Sequence, residues 1–350
     1  MEFNIGNVRV GNDDIVIIAE AGVNHLGRMD YAEELIKTAA RAGADIIKFQ
    51  TYKADKLSTK SAPRFWSWKG ENDKNGSQHD SYSNLDSFNK EQYIELMRLC
   101  EKHNITFLST PFDYESADML VDIGMQGFKT ASCDLTNIPF LTYLANKQLP
   151  MLISTGASTI EEIRLAVDAM EKTGNKNICI MHCTLCYPTQ VEDANLSALL
   201  DIKKNFGNYV LGLSDHTLGT LVPAASVLYN VKVIEKHYTF DKTLPDSADH
   251  WLSLDEKELS ALVMQTSILN SAIGLGKKVL LDCELPAHKY ARRSVVVAQD
   301  IKSGEIITEK MISEKRPGTG LPPIYRDRII GSTAKNDMKF DHLITLNDFT

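Results

Sequence analysis

The sequence predicts a (β/α)8 barrel, of class α/β, followed by a small separate C-terminal domain. Short apolar, β-branched runs recur eight times between residues 15 and 239. Stretches of helical period separate most of them, and every run ends on polar side chains able to do chemistry. A doubly wound sheet alternates strand and helix in the same way, but it strings such endings along an edge. A barrel gathers them at one mouth, where enzymes of this architecture keep their active sites.

In chain order the runs are IVIIAEAG (15–22), ADIIKFQT (44–51), ITFLSTPF (105–112), GFKTASCD (127–134), PMLISTGA (150–157), NICIMHCT (177–184), YVLGLSDHT (209–217) and VKVIEKHYT (231–239). Their endings supply Glu20, Lys48 with Gln50, Thr110, Lys129 with Ser132, Ser154, His182, Ser214 with His216, and Glu235 with His237. Between them, DYAEELIKTAARAG and TIEEIRLAVDAMEKTG repeat apolar residues at helical spacing and close on a glycine, a common helix C-terminus. The stretch 59–88, rich in Ser, Asn, Asp and Lys with a short aromatic anchor, reads as a long loop of the kind that covers or binds.

With 350 residues, 43% of them hydrophobic, the chain can bury a large core. Its net charge of −8, with no long basic run, excludes nucleic acid as a natural partner, so an anionic substrate must be held by a few placed cations. No run reaches the roughly 18 apolar residues of a membrane span. The N-terminus lacks the basic and apolar regions of a secretory signal, and six cysteines fall at uneven spacings, so a reduced, cytoplasmic protein is expected.

Two lysines ending apolar strands, Lys48 and Lys129, are costly to bury without an anion, which marks them as ligand-binding groups. Thr110, Ser132 and Ser154 suit either the same anion or the caps of the following helices. His216 and His237 end the seventh and eighth runs, which neighbour each other in a barrel, so both imidazoles can reach one ion. With Glu20 or Asp249 nearby they suit Mn²⁺, Fe²⁺ or Zn²⁺ with open positions. Cys183 and Cys186 have CxxC spacing, but no second pair accompanies them and the first lies within a strand, which disfavours zinc or redox chemistry there.

Six motifs, AEAGVNHLG, IKFQT, STPFD, HCTLCYP, GLSDHT and EKHYTFDK, together resemble the sialic acid synthase family, which makes nonulosonic acids. From Arg292 on, RRSVVVAQDIKSGEIITEKMISEKRPGTG resembles that family's small antifreeze-like (SAF) domain. The resemblance implies condensation of phosphoenolpyruvate with an open-chain N-acylhexosamine, N-acetylmannosamine or a 2,4-diacetamido-6-deoxyhexose, with release of phosphate by C–O cleavage. It implies that Lys48, Lys129, Thr110, Ser132, Ser154 and Ser214 hold phosphoenolpyruvate. It also implies that a divalent metal, Mn²⁺ before Mg²⁺ or Co²⁺, sits on His216 and His237. Glu20, Gln50, Tyr187 and Asp249 would meet the sugar. Leu185 departs from the family, some of whose members carry a polar residue at that place.

A break near DCELPAHKY (282–290) separates a barrel over 1–281 from a SAF domain over 291–350, short enough to lean on something else. In the resembled family that domain crosses a domain-swapped homodimer, and the Arg of KRPGTG, here Arg316, reaches the partner's sugar. Octulosonate- and heptulosonate-type synthases are the nearest rivals, but they lack this tail. A non-catalytic carbohydrate-binding protein is the rival of another class, and the lysine and histidine sets argue against it.

Overall fold

A computed structural model of the chain describes residues 2–66, 76–85, 88–244 and 249–350. They form two compact units, Met1–Gly274 and Leu275–Thr350.

The first unit opens with an antiparallel hairpin, β1 (Phe3–Ile5) and β2 (Val8–Val10), turned at Gly6, whose φ of 58° suits glycine. Phe3, Ile5 and Val10 are buried in the main core, and Ile5 lies against Gly127, just ahead of the fourth strand of the barrel that follows. The hairpin therefore plugs the N-terminal end of the barrel. Eight parallel strands come next: β3 (Val16–Gly22), β4 (Ile46–Thr51), β5 (Thr106–Pro111), β6 (Phe128–Thr130), β7 (Met151–Ser154), β8 (Ile178–Cys183), β9 (Val210–Asp215) and β10 (Val233–His237). Each lies within one of the eight runs.

The hydrogen-bonded ladder runs β5-β4-β3-β10-β9-β8-β7-β6, and β5 and β6 lie side by side where its ends meet. First and last strands are joined, with Val233 opposite Val16 and His237 opposite Glu20. Such a near-closed parallel sheet is the predicted barrel. All strands read as almost unbroken buried runs because one face packs inside and the other meets helices.

The helices are α1 (Met29–Ala42), α2 (Ala54–Leu57), α3 (Gln78–Ser83), α4 (Lys90–Lys102), α5 (Tyr114–Asp122), α6 (Ile138–Asn146), α7 (Ile160–Glu171), α8 (Ala198–Phe206), α9 (Leu221–Ala225) and α10 (Glu256–Ala272). Gly43 ends α1 with a φ of 91°, and Thr159 with Glu162 forms a reciprocal cap on α7, so both predicted helices stop and start where their chemistry asks.

One expectation needs correction. The stretch 59–88 is more than a loop: Pro63 bridges Ser77, and α3 follows, capped reciprocally by Ser77 and Asp80. Residues 67–75 and 86–87 of that stretch lie outside the described residues.

The second unit has its own apolar core, including Val295, Val297, Ile307, Ile312, Ile329 and Ile344. It contains α11 (Leu285–Tyr290), the antiparallel pair β11 (Ser294–Val297) and β12 (Ile312–Lys315), and α12 (Arg326–Ile329). The unit begins at Leu275, ahead of the boundary read from the sequence, and the segment read as a linker carries a helix.

Candidate active site

A cavity of about 260 Å³ opens at the C-terminal ends of the barrel strands. It is lined by Glu20, Lys48, Gln50, Thr110, Lys129, Ser132, Ser154, Tyr187, Ser214, His216, His237 and Asp249, which are all the barrel residues given a substrate or metal role from the sequence. Strand pleating explains the selection. Alternate side chains point inward, so Glu235 and His237 face the cavity while Lys236 between them faces away.

At the base, two lysines only 3% exposed share two carboxylates. Lys48 Nζ lies 2.6 Å from Glu20 Oε2 and 3.9 Å from Glu235 Oε2, and donates to Thr110 Oγ1 at 3.1 Å. Lys129 Nζ lies 3.6 Å from Glu235 Oε1 and donates to Ser154 Oγ at 2.6 Å. Ser214 Oγ donates to Glu235 Oε1 at 3.0 Å, and Gln50 Nε2 to Glu20 Oε1 at 2.8 Å. Ser132 Oγ accepts the Gly156 N–H at 3.0 Å.

Burial and charge pull these groups apart. Desolvation raises the Glu20 carboxyl above its usual range in spite of Lys48. At Glu235 the same desolvation is outweighed by Lys129 and Lys48, which hold its pKa down to about 2. Burial lowers Lys129, whereas at Lys48 the neighbouring Glu20 and Glu235 overcome burial and raise it. Two buried carboxylates with diverging affinities for protons beside two ammonium groups are the usual equipment of acid–base and anion-binding sites.

On the other side of the cavity, the His216 and His237 rings stand 5.2 Å apart, with Tyr187 4.3 Å and 5.8 Å from them. His216 Nδ1 donates to the Thr184 carbonyl at 3.0 Å, which leaves Nε2 with its lone pair. His237 Nδ1 lies 3.0 Å from Asp249 Oδ2; burial opposes the imidazolium, but Asp249 and the two glutamates raise its pKa. Orienting one ring nitrogen by a carbonyl or carboxylate is how proteins prepare histidines for a metal. Among the described residues no group of three or more His, Cys, Asp or Glu could hold an ion by itself. Two imidazoles 5.2 Å apart, each with one ring nitrogen oriented by a neighbour, are a donor set that fits a divalent ion.

Between strands, Lys236 bonds Asp215 Oδ2 at 2.5 Å and also the Thr217 carbonyl, so the residues flanking His216 are tied to the one preceding His237. Both charges are buried on the outer face, and the tie fixes the spacing of the two imidazoles.

Sequence reasoning missed Glu235 as a site residue. It stood at a strand end, and its parity with His237 was the signal. Cys183, near His216 Nδ1 at 3.9 Å, was set aside with the CxxC motif, and the aromatic anchor read in 59–88 lines the cavity through Phe65, Trp66 and Tyr82. His182 does not join the cavity; its Nε2 bonds the Ala194 carbonyl. Arg316 is exposed directly after β12, in the second unit.

Fold and site together define a barrel of the enzyme type, with two buried lysines and a pair of histidines at one mouth. The chain belongs to the NeuB family, whose profile it matches over residues 35–278, and a SAF domain follows over 292–350. It is 38% identical to N,N'-diacetyllegionaminic acid synthase of Legionella pneumophila, over 90% of this chain and 89% of that one. It is 34% identical to human N-acetylneuraminate-9-phosphate synthase, over 95% and 92%. Among solved structures, N-acetylneuraminic acid synthetase of Leptospira borgpetersenii in complex with citrate superposes with a TM-score of 0.72 at 35% identity. That match covers 82% of this chain and 94% of that one.

Proposed function

We propose that the protein is a nonulosonic acid synthase. It joins C3 of phosphoenolpyruvate to the aldehyde carbon of an open-chain N-acylhexosamine. Water adds at C2 of the former enol phosphate, and the tetrahedral intermediate collapses with C–O cleavage, so that phosphate leaves and a 2-keto acid remains. The observation that carries this reading is the Lys48 and Lys129 pair, shared between Glu20 and Glu235 beside two preoriented histidines at one barrel mouth.

Lys48 and Lys129 meet the phosphate and carboxylate of phosphoenolpyruvate, with Thr110, Ser132, Ser154 and Ser214 donating to their oxygens. The substrate's anionic groups replace carboxylate partners the lysines already have, and those partners raise the pKa of Lys48 before substrate arrives. Gln50, Tyr187 and Asp249 take the sugar hydroxyls, and Glu20 is positioned by Lys48 and Gln50 to exchange a proton there. His216 and His237 would hold the divalent ion, Mn²⁺ in preference to Mg²⁺ or Co²⁺. When bound, such an ion supplies Lewis-acid polarisation of the aldehyde oxygen.

The test is phosphate release from phosphoenolpyruvate with Mn²⁺ and an N-acylhexosamine. Release that needs the sugar and stops with EDTA is expected; release without sugar, or none with any N-acylhexosamine, overturns the reading.

The proposal extends to a homodimer in which Arg316 of one copy serves the other's sugar. Its support is the family's arrangement and the exposure of this residue after β12. Arg316→Ala is expected to raise the KM for the sugar about tenfold or more, as loss of a charged hydrogen bond does, and to leave that for phosphoenolpyruvate unchanged. A monomer in solution, or an unchanged sugar KM, counts against it.

A further inference from the structure

A second cavity, of about 630 Å³, opens between α7 and α8 at the C-terminal end of β8. Cys183 and Leu185 line both this cavity and the one at the barrel mouth. The wall they form is tightly filled. A Cβ on Gly156 would stand 2.8 Å from Ser132 Oγ, 3.0 Å from Leu185 Cβ and 3.1 Å from Cys183 Sγ, so glycine is required there. The two cavities lie back to back across one packed layer, and the synthase chemistry does not use the second.

One buried side chain faces it with an unused atom. His182 is 8% exposed, lines the cavity and has one recorded hydrogen bond, from Nε2 to the Ala194 carbonyl at 3.0 Å. Burial lowers its pKa, so the ring is neutral near pH 7. Nε2 therefore carries the hydrogen, and Nδ1 keeps a lone pair with no partner.

Most other polar groups here are acceptors too. Thr155 Oγ1 donates to the Met181 carbonyl at 3.0 Å, Ser158 Oγ to the Gly156 carbonyl at 3.1 Å, and Thr184 Oγ1 to the Asp193 carbonyl at 3.0 Å. Each hydroxyl has spent its one hydrogen and offers only lone pairs. The carboxylates of Asp193 and Asp201 add negative charge, and among the described residues lining the cavity there is no lysine or arginine. Thr159 and Asn195 retain hydrogens, but acceptors outnumber them.

Two helices begin at this cavity, yet their first N–H groups are largely taken. On α7 the Thr159 and Glu162 N–H groups belong to the reciprocal cap. Ahead of and within the first turn of α8, the Ala198, Leu199 and Leu200 N–H groups bond the carbonyls of Asn195, Leu196 and Ser197. An anion would therefore meet two carboxylates and few donors. Ile160, Ile163 and Ile202 give the cavity an apolar floor.

We infer that this cavity is a second ligand site, for a small organic ammonium ion with an aliphatic body. Its N–H groups meet His182 Nδ1 and the spent hydroxyls, its charge meets Asp193 and Asp201, and its methylenes lie on the isoleucines. The occupant is felt at the histidine pair, because Thr184 lines this cavity while its carbonyl holds His216 Nδ1 at 3.0 Å.

The test is binding to the full-length protein at low ionic strength, followed by NMR, with n-butylammonium as the probe and tetramethylammonium and butyrate beside it. n-Butylammonium is expected to saturate with a Kd of about 1 mM or tighter. Tetramethylammonium, which has the charge but no N–H, should bind about tenfold more weakly, and butyrate should not bind. Asp193→Asn with Asp201→Asn, both exposed positions, should weaken n-butylammonium about tenfold or more. His182→Gln keeps a donor for the Ala194 carbonyl and deletes Nδ1, and should weaken it about tenfold. The His216 ring signal, assigned by its absence from His216→Ala, should shift along the same binding curve. No saturation by n-butylammonium, tighter binding of butyrate, or undiminished binding by the double variant overturns the site. Tetramethylammonium binding equally well, or His182→Gln binding as the parent does, overturns the contact with His182. A stationary His216 signal overturns the coupling. All these readouts are independent of phosphate release, so their failure is distinct from failure of the synthase reading.

Discussion

His216→Ala is expected to lower kcat/KM about 10³-fold and to abolish stoichiometric Mn²⁺ binding measured by calorimetry, while the protein stays folded. The rate figure corresponds to about 4 kcal/mol of lost charge stabilisation, within what one Lewis-acid contact contributes. The ring hydrogen bond lost is the one to the Thr184 carbonyl, which lowers stability by only about 1 kcal/mol. That is a few degrees in Tm for a chain of this size. Retained activity, or Mn²⁺ binding as tight as in the parent, would remove the histidine pair as the metal site.

Lys48→Met should be as damaging to activity and much worse for the fold. The lysine is the cation between Glu20 and Glu235, at 2.6 and 3.9 Å, and all three groups are buried. Removing one partner of a buried pair leaves charge with neither water nor a counterion, at a cost of about 3–5 kcal/mol. Urea unfolding should register that loss, and the KM for phosphoenolpyruvate should rise by at least about a hundredfold because a charged contact to the substrate also goes. A second variant, Lys48→Met with Glu20→Gln, restores part of the stability by neutralising one stranded carboxylate and leaves the KM high. If stability and KM recovered together, the lysine would be structural and its contact with the substrate would be refuted.

The barrel was legible in the sequence because parallel strands buried on both faces cannot hide. IVIIAEAG and NICIMHCT must be apolar throughout, and their polar ends stand out. The hairpin β1–β2 was not legible in that way. Its strands have three residues each, too few to display a period, and the turn at Gly6 and Asn7 was the only cue. Helix α3 escaped for a related reason: QHDSYS has no apolar stripe, although the Ser77 and Asp80 cap was written in plain letters.

For the site, residue types at strand ends gathered ten of the twelve candidates in one cavity, and the loop residues Tyr187 and Asp249 completed the set. Which neighbours pair with which could not be read, because Lys48 with Glu235 or Lys129 with Ser154 depends on strand order around the ring, and not on spacing along the chain. The aromatic side of the cavity is a product of three-dimensional packing as well. Phe65 and Trp66 come from the segment before α3, Tyr82 from α3 itself, Tyr52 and Phe112 from just past the ends of two strands, and no linear pattern joins them.

The seam where β3 meets β10 sets Glu20 opposite His237. The two halves of the chemistry thus come from the first strand of the ring and the last one added to it. A ribosome-bound chain that has not yet released its eighth strand holds lysines without the histidine that completes the mouth, and so is inert toward its own substrates. Under mild denaturant the same seam makes catalysis a gauge of closure: opening it locally would silence the enzyme while the remaining strands stay paired.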